Sequence, residues 1–400
     1  MSDKGNLISF PGGEDTESPV KRVKKQSRRR RFTRLTTIGI IVLVLAALLI
    51  GYFIYVKAKT YDSYSLVSTV ERNNIDSARI LEFDGSILSY SKDGANAVGS
   101  DGTLLWNQTF DMQNPMVAVC GNTVAFADYG GSRIYVQTSK GETGAVDTAM
   151  PIRKITTSEN GYVAAVLEDV DVTWIYMYDI NGTIISYIRT TMEKSGYPLD
   201  ICLSPNGELL CVSYYYVDCN DVKSSVAFYN FGAVGENAID NYVSGYNYAD
   251  TMIPMVRFMD SKTSFALSKD VISVFEDAHV PGNSYKSFIT GEVLSAFYSD
   301  DCIAIIYSNE VNGSKYRLEL RDNGGNVISN KDFDFDYSNV TFCDGNVILY
   351  GDKSIYVGTY GGSLKYEGEY DKPMLLVVPV VGTFKYTIVT EGSIDVIELQ

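Results

Sequence analysis

The sequence predicts an all-β fold, an eight-bladed β-propeller, preceded by one membrane-spanning α-helix. Three observations carry that expectation. A strand–turn–strand unit recurs eight times between Leu81 and Gly392. The composition, 30 Tyr and 34 Gly against 10 Pro, suits short strands joined by tight turns. One long uncharged stretch, Leu35 to Val56, directly follows a dense basic run.

The N-terminal elements come first in the chain. Residues 1–34 hold ten Lys/Arg and four Asp/Glu; the whole chain is −15, so the remainder carries −21. Residues 1–20 are rich in Gly, Ser, Pro and acids and poor in aliphatics, a composition that cannot bury a core. The tail 1–34 is therefore expected to be disordered. The 22 residues of 35–56 lack any charge. At about 1.5 Å per residue they reach roughly 33 Å, enough for a hydrocarbon core of about 30 Å. Nine basic residues lie between Lys21 and Arg34, and only Lys57 and Lys59 follow closely. That bias places the tail in the cytoplasm and the C-terminal domain outside. A cleaved signal peptide is the rival reading, with Val56-Lys57-Ala58 as a loose cleavage site. The apolar run exceeds the roughly 7–15 residues of such a segment, which favours an uncleaved signal-anchor. The basic run could also read as a nucleic-acid patch, but beside a span its role is topology and contact with anionic lipid.

Residues 57–64 read as a linker and 65–400 as the propeller. The repeated hairpins are LEFDGSILSYS (81–91), VCGNTVAFAD (119–128), TSENGYVAAVLED (157–169), LSPNGELLCVSYY (203–215), FMDSKTSFALSKD (258–270), YSDDCIAIIYSN (298–309), FCDGNVILYGD (342–352) and VVGTFKYTIVTEG (380–392). Each of the first seven precedes a third strand, a Gly-containing turn and a fourth strand, as in TWIYMYDINGTIISYI (173–188). The repeat of roughly 40 residues is the length of a four-stranded propeller blade. The last unit ends after its third strand, SIDVIEL (393–399), and SLVSTVER (65–72) is strand-like and unassigned. Ser65–Arg72 is thus expected to supply the missing outer strand and close the ring. Seven blades would remain if the weakest unit, 251–293, were an insertion.

This layout of basic tail, single span and DG/NG-punctuated β-repeats resembles an uncharacterised membrane-anchored propeller family, a domain of unknown function, of Gram-positive bacteria. The turns SPNG (204–207) and DINGT (179–183) are similar to those of WD40 and quinoprotein propellers. The WD40 Trp-Asp pair and the quinoprotein cofactor residues are not recognisable here, so the resemblance implies an extracytoplasmic propeller and assigns no catalytic residue.

Chemical motifs are scarce. His279 is the single histidine, in the turn-rich FEDAHVPGNS, which excludes HExxH and multi-His metal sites. It is expected to be an exposed loop residue. No GxSxG elbow or GxxxxGK[ST] loop occurs. Asp332, Asp334 and Asp336 alternate with Phe333, Phe335 and Tyr337; on a strand they share one face, which suggests either a weak Ca²⁺ site or a wet strand face. The wet face is the expectation, and no cofactor or metal is assigned. The six cysteines are Cys120, Cys202, Cys211, Cys219, Cys302 and Cys343. In ICLSPNGELLC, Pro205 suits the second position of a type I turn with Gly207 left-handed. That register pairs Ser204 with Glu208 and sends the Cys202 and Cys211 thiols to opposite faces, so few or no disulfides are expected.

Two segments of one unit, 213–225 and 244–252, read as the longest loops of one propeller face. They offer Tyr215, Tyr216, Asp218, Tyr246, Tyr248 and Asp250 as a partner-binding surface, Tyr being a rigid amphipathic contact residue; the alternative is that some of these rings pack against the blades. The expected role is a protein-interaction or ligand-binding scaffold at the cell surface, with an extracytoplasmic protein or glycan as partner. One alternative is a sensor of a wall glycan or small ligand working through a membrane partner. A propeller enzyme is disfavoured. An ectodomain of charge −21 repels nucleic acid.

Overall fold

The computed structural model describes residues 37–49, 51, 59–72, 78–170, 172–192, 195–218, 221–249, 251–310 and 313–400. A helix covers 37–49. No helix among the described residues is long and apolar enough to cross a membrane. The expected span 35–56 lies partly outside the described residues, and the expected tail 1–34 lies wholly outside them.

From Tyr64 onward, eight four-stranded antiparallel sheets form. Seven follow the chain in order, spanning 79–109, 115–147, 152–190, 197–248, 255–288, 293–333 and 337–369. The eighth combines Leu376–Val380, Lys385–Val389 and Ser393–Leu399 with an outer strand, Tyr64–Glu71. These sheets are the blades of a propeller, here numbered 1 to 8. The expected eight blades and the closing outer strand are both observed, and the weak unit 251–293 contains a full blade. The closing strand pairs Tyr64 with Leu399 and Glu71 with Ser393.

Local chemistry explains the hairpins. Asp84 and Gly85 both have positive φ, 48° and 72°, and join strands whose last pair is Phe83 with Ser86. Asp344 and Gly345 repeat this in blade 7. Two left-handed residues make a turn whose twist matches the strands it joins, and Asp-Gly tolerates it.

The core lies between blades. Phe228 packs on Phe275 at 5.1 Å across blades 4 and 5, and Ile348, Tyr350, Tyr386 and Ile388 form the layer between blades 7 and 8. Ile87 meets Leu376, Val389 and Ile394 where blade 8 closes on blade 1. Each fully buried side chain of this size contributes about 1.5–3 kcal/mol. Connections between second and third strands, and from each fourth strand to the next blade, emerge on one face, called upper below. The other two connections of each blade emerge on the lower face, where the chain also enters at Tyr64.

The blade 4 hairpin corrects the expected register. Ser204 pairs with Leu209, not Glu208: its N–H donates to the Leu209 carbonyl at 2.8 Å. The Ser204 hydroxyl accepts the Leu209 N–H at 2.9 Å, and Asn206 Oδ1 accepts the Glu208 N–H at 3.3 Å. These side-chain acceptors hold a loop one residue longer than the type I turn alone implied. Cys202 consequently faces Cys211 directly. Cys120, Cys202, Cys211, Cys302 and Cys343 are free thiols, while Cys219 lies outside the described residues. Burial pushes the Cys120, Cys302 and Cys343 thiols up to about 12, so they stay protonated.

The aspartate row is also placed differently. Only Asp332 lies in a strand; Asp334 and Asp336 occupy the connection to blade 7. Each is engaged: Asp332 by Arg317 at 2.7 and 2.9 Å, Asp334 by the Lys315 N–H at 2.9 Å, Asp336 by Lys315 Nζ and the Tyr316 hydroxyl at 3.1 Å. Among the described residues no cluster of His, Cys, Asp or Glu could hold a metal. His279 is an exposed loop residue, as expected.

Candidate functional site

Blade 4 differs from its neighbours in its middle hairpin. Its strands Leu209–Asp218 and Asp221–Asn230 are ten residues each, the longest among the described strands. The segment 213–225 is therefore mostly ladder, not loop. Its run of Tyr and Val favours extended chain, and it lacks the Gly or Pro that would stop pairing earlier. The ladder continues through Tyr215 with Ser224, Tyr216 with Lys223 and Val217 with Val222 to Asp218 with Asp221. Segment 244–252 is likewise mostly strand, since Tyr242–Tyr248 forms the outer strand of the blade.

The six candidate residues are divided by this geometry. Tyr215 and Tyr216 are half-buried near the upper end of the hairpin, with Tyr215 5.7 Å from the Tyr197 ring. Asp218 is exposed and ion-paired with Lys223 at 2.6 Å. Tyr246 is half-buried; its hydroxyl donates to the Pro281 carbonyl at 2.8 Å and its ring lies 5.0 Å from Phe275. Tyr248 is buried between blades 4 and 5, beneath Lys286 Nζ at 4.8 Å. Asp250 lies outside the described residues. Tyr214, adjacent to these in sequence, is core: its hydroxyl lies 2.9 Å from that of Tyr229. Strand alternation sends Tyr214 inward.

Sequence reasoning missed the neighbours that complete this surface. Tyr129, 52% exposed in the upper connection of blade 2, stacks under the Arg153 guanidinium at 4.9 Å. Arg153 is bound to Glu168. Burial, then the nearby Glu168 and Tyr129 charges, raises the Tyr197 phenol above its ordinary value. Tyr129, Tyr197, Tyr215 and Tyr216 thus mark the upper face of blades 2 to 4. The signal was available: each sits at an upper end of its strand or connection, which aligning the units blade by blade would have shown.

A second feature occupies the axis. A cavity of about 730 Å³ lies against the inner strands of blades 1 to 6. In its wall, Asp200 of blade 4 joins Lys154 of blade 3 and Arg257 of blade 5, at 2.6 Å each. The Asp200 side chain is 3% exposed and also accepts the Val256 N–H at 3.0 Å. Burial pulls the Arg257 guanidinium down, but the Asp200 charge outweighs it and leaves Arg257 above its ordinary value. The trio is visible in the sequence as charges on three consecutive inner strands, IRKITT, YPLDICL and MVRF, with Arg153 beside Lys154 committed to Glu168.

A family described as being of unknown function, DUF5711, has a model that matches residues 57–399. Among curated proteins, none matches the sequence. Solved structures share the propeller. BamB from Moraxella catarrhalis is 10% identical with a TM-score of 0.50, covering 84% of this chain and 100% of that one. Chaetomium thermophilum Sqt1 bound to the N-terminus of ribosomal protein L10 is 11% identical with a TM-score of 0.52, over 84% and 100%. Apo AztD from Citrobacter koseri is 10% identical with a TM-score of 0.50, over 74% and 87%. At these identities the likeness is one of fold alone.

Proposed function

We propose that this chain, which belongs to the DUF5711 family of unknown function, is a membrane-anchored, extracytoplasmic propeller that holds protein partners on its upper face. The observation that carries the reading is the Tyr surface of blades 2 to 4, extended by the blade 4 hairpin. Exposed Val217 and Val222 pair at its end beside half-buried Tyr216. Rigid aromatic rings flanked by paired charges are the composition of binding hot spots. The Sqt1 propeller, bound to a protein terminus, supports reading such a fold as a holder of protein segments. The uncharged stretch 35–56 and the nine basic residues before it support the anchor and its orientation.

The test uses full-length protein in intact cells. A photo-crosslinking residue placed at Tyr216 should give a discrete protein adduct, and the same residue at Asn160 on the lower face should not. Protease added outside should remove the propeller and spare the tail. Equal adducts from both faces would overturn the docking surface, and protection of the propeller would overturn the topology.

A further inference from the structure

We infer that the axial cavity is a binding site for carboxylate groups, which enter from the upper face and end on Lys154 and Arg257. This goes beyond the proposed docking of proteins on the Tyr surface and rests on different residues.

Unspent donors in the cavity wall are the first argument. Arg257 donates through Nη1 alone, to Asp200 Oδ2 and the Val256 carbonyl, both at 2.6 Å. Its Nε and Nη2 groups have no acceptor among the described residues, and the side chain is 31% exposed to the cavity. Lys154 Nζ donates to Asp200 Oδ1 and to the Leu199 carbonyl at 3.0 Å, leaving one of its three N–H groups. Two cations thus share a single buried carboxylate, so the trio carries one net positive charge. A guanidinium fork with two nitrogens open suits the two oxygens of a carboxylate.

Charge is also graded along the axis. At the upper mouth an adjoining recess of about 420 Å³ shares Arg79, Tyr90, Pro115 and Met116 with the main cavity. Arg79 and Lys92 line it, and among the described residues no carboxylate does. Both are exposed, and neither has a carboxylate partner among the described residues. Asp93 and Asp111 are near in sequence but do not line the recess. Asp128, close by, is engaged by the Gln113 and Asn114 N–H groups at 3.1 and 2.6 Å. The cavity's other carboxylates, Glu159 and Asp300, lie at its lower end in turns between first and second strands. Glu208, Asp260 and Asp344 stand in the corresponding turns of other blades. In a chain of net charge −15, the field therefore admits an anion at the upper mouth and repels it at the lower. A cleft with low-dielectric walls focuses such a field.

The carboxylate can come from an acidic segment of a protein partner or from a free small acid, and the two are separable. Full-length protein in nonionic detergent would be titrated with fluorescein-labelled hexaglutamate at low ionic strength, with unlabelled succinate and the uncharged hexaserine as competitors. The account expects saturable hexaglutamate binding and no competition by hexaserine. Arg79→Glu combined with Lys92→Glu changes exposed positions only and should weaken binding at least tenfold at unchanged melting temperature. Asp200→Asn frees both inner cations and should tighten binding several-fold. Arg257→Lys keeps the partner of Asp200 but removes the open fork, and should weaken binding about tenfold. Succinate competing at concentrations comparable to the peptide would identify a free acid as sufficient; competition only at far higher concentration would identify the peptide. Tyr215→Ser with Tyr216→Ser should leave hexaglutamate binding unchanged, which separates this site from the docking surface. Absence of saturable binding, or equal affinity in wild type and the Arg79/Lys92 variant, would overturn the inference.

Discussion

Blade 8 takes its outer strand, Tyr64–Glu71, from the opposite end of the propeller sequence, whereas blade 4 draws all four strands from 197–248 and makes its middle pair the longest among the described strands. In blade 8 the distinctive polar contacts point inward. Asp395, opposite Thr69 of the closing strand, accepts from the Tyr370 hydroxyl at 2.6 Å, Lys372 Nζ at 2.8 Å and the Ser393 hydroxyl at 2.9 Å. In blade 4 the distinctive residues of the hairpin, Tyr216, Val217 and Val222, extend past the core into solvent. One four-stranded plan is thus elaborated for closure in one place and, on the proposed function, for contact in another. Mutations in the two places should separate stability from binding.

The largest effect should come from the seam. Deleting Tyr64–Glu71 removes seven register pairs and bares the edge of Ser393–Leu399. At about 1 kcal/mol per net hydrogen bond the loss is on the order of 5 kcal/mol, and the exposed edge invites association. Thermal unfolding with light scattering should show a much lower transition accompanied by aggregation. Unchanged melting would mean the ring does not depend on this closure.

Asp395→Ala should cost about 3 kcal/mol, because it strands the buried Tyr370 hydroxyl and leaves Lys372 unpaired. The seam also predicts a pH dependence. Burial alone would raise the Asp395 pKa, but the Lys372, Tyr370 and Ser393 donors outweigh it and hold the carboxyl below its ordinary value. A depressed folded pKa gives stability that is complete above the unfolded value, about 3.9, and is lost as pH falls through the folded one. Denaturant midpoints should therefore fall on acidification below about pH 4, and Asp395→Asn should remove part of that slope. An identical slope in both proteins would contradict the role given to Asp395.

Within blade 4 the effects should grade from core to tip. Tyr248→Ser opens the packing between blades 4 and 5 and should cost about 3 kcal/mol. Tyr246→Phe removes only the bond to Pro281 and should cost about 1 kcal/mol. Tyr216→Ser and Val217→Ser should change stability by no more than about 0.5 kcal/mol. Chemical unfolding of the four variants checks the order, and a destabilising Tyr216→Ser would place that ring in the core.

The same contrast explains what the sequence disclosed. Blade count and ring closure were legible because strand alternation and Gly-, Asn- or Asp-bearing turns repeat in phase, and because the last unit ended after its third strand, 393–399. The blade 4 register was not, since Ser204 and Asn206 side chains replaced backbone acceptors and lengthened the turn by one residue. Tyr248 was misplaced among loop residues for a related reason. A Tyr-rich segment reads as long loop or long strand equally well, and pairing with Ser224 across the sheet decided it. The Lys154–Asp200–Arg257 trio escaped notice because its members are 46 and 57 residues apart, and only ring geometry brings consecutive inner strands together.

The central claim, that the upper face of blade 4 is elaborated for contact and not for stability, is tested most directly by one paired measurement. Tyr215→Ser combined with Tyr216→Ser would be compared with wild type for crosslinked partner capture in intact cells and for melting temperature of the purified chain. The account predicts loss of capture, at least a hundredfold if each ring contributes about 2 kcal/mol or more, with melting nearly unchanged. Full capture at normal stability, or a melting temperature that falls along with capture, would contradict it.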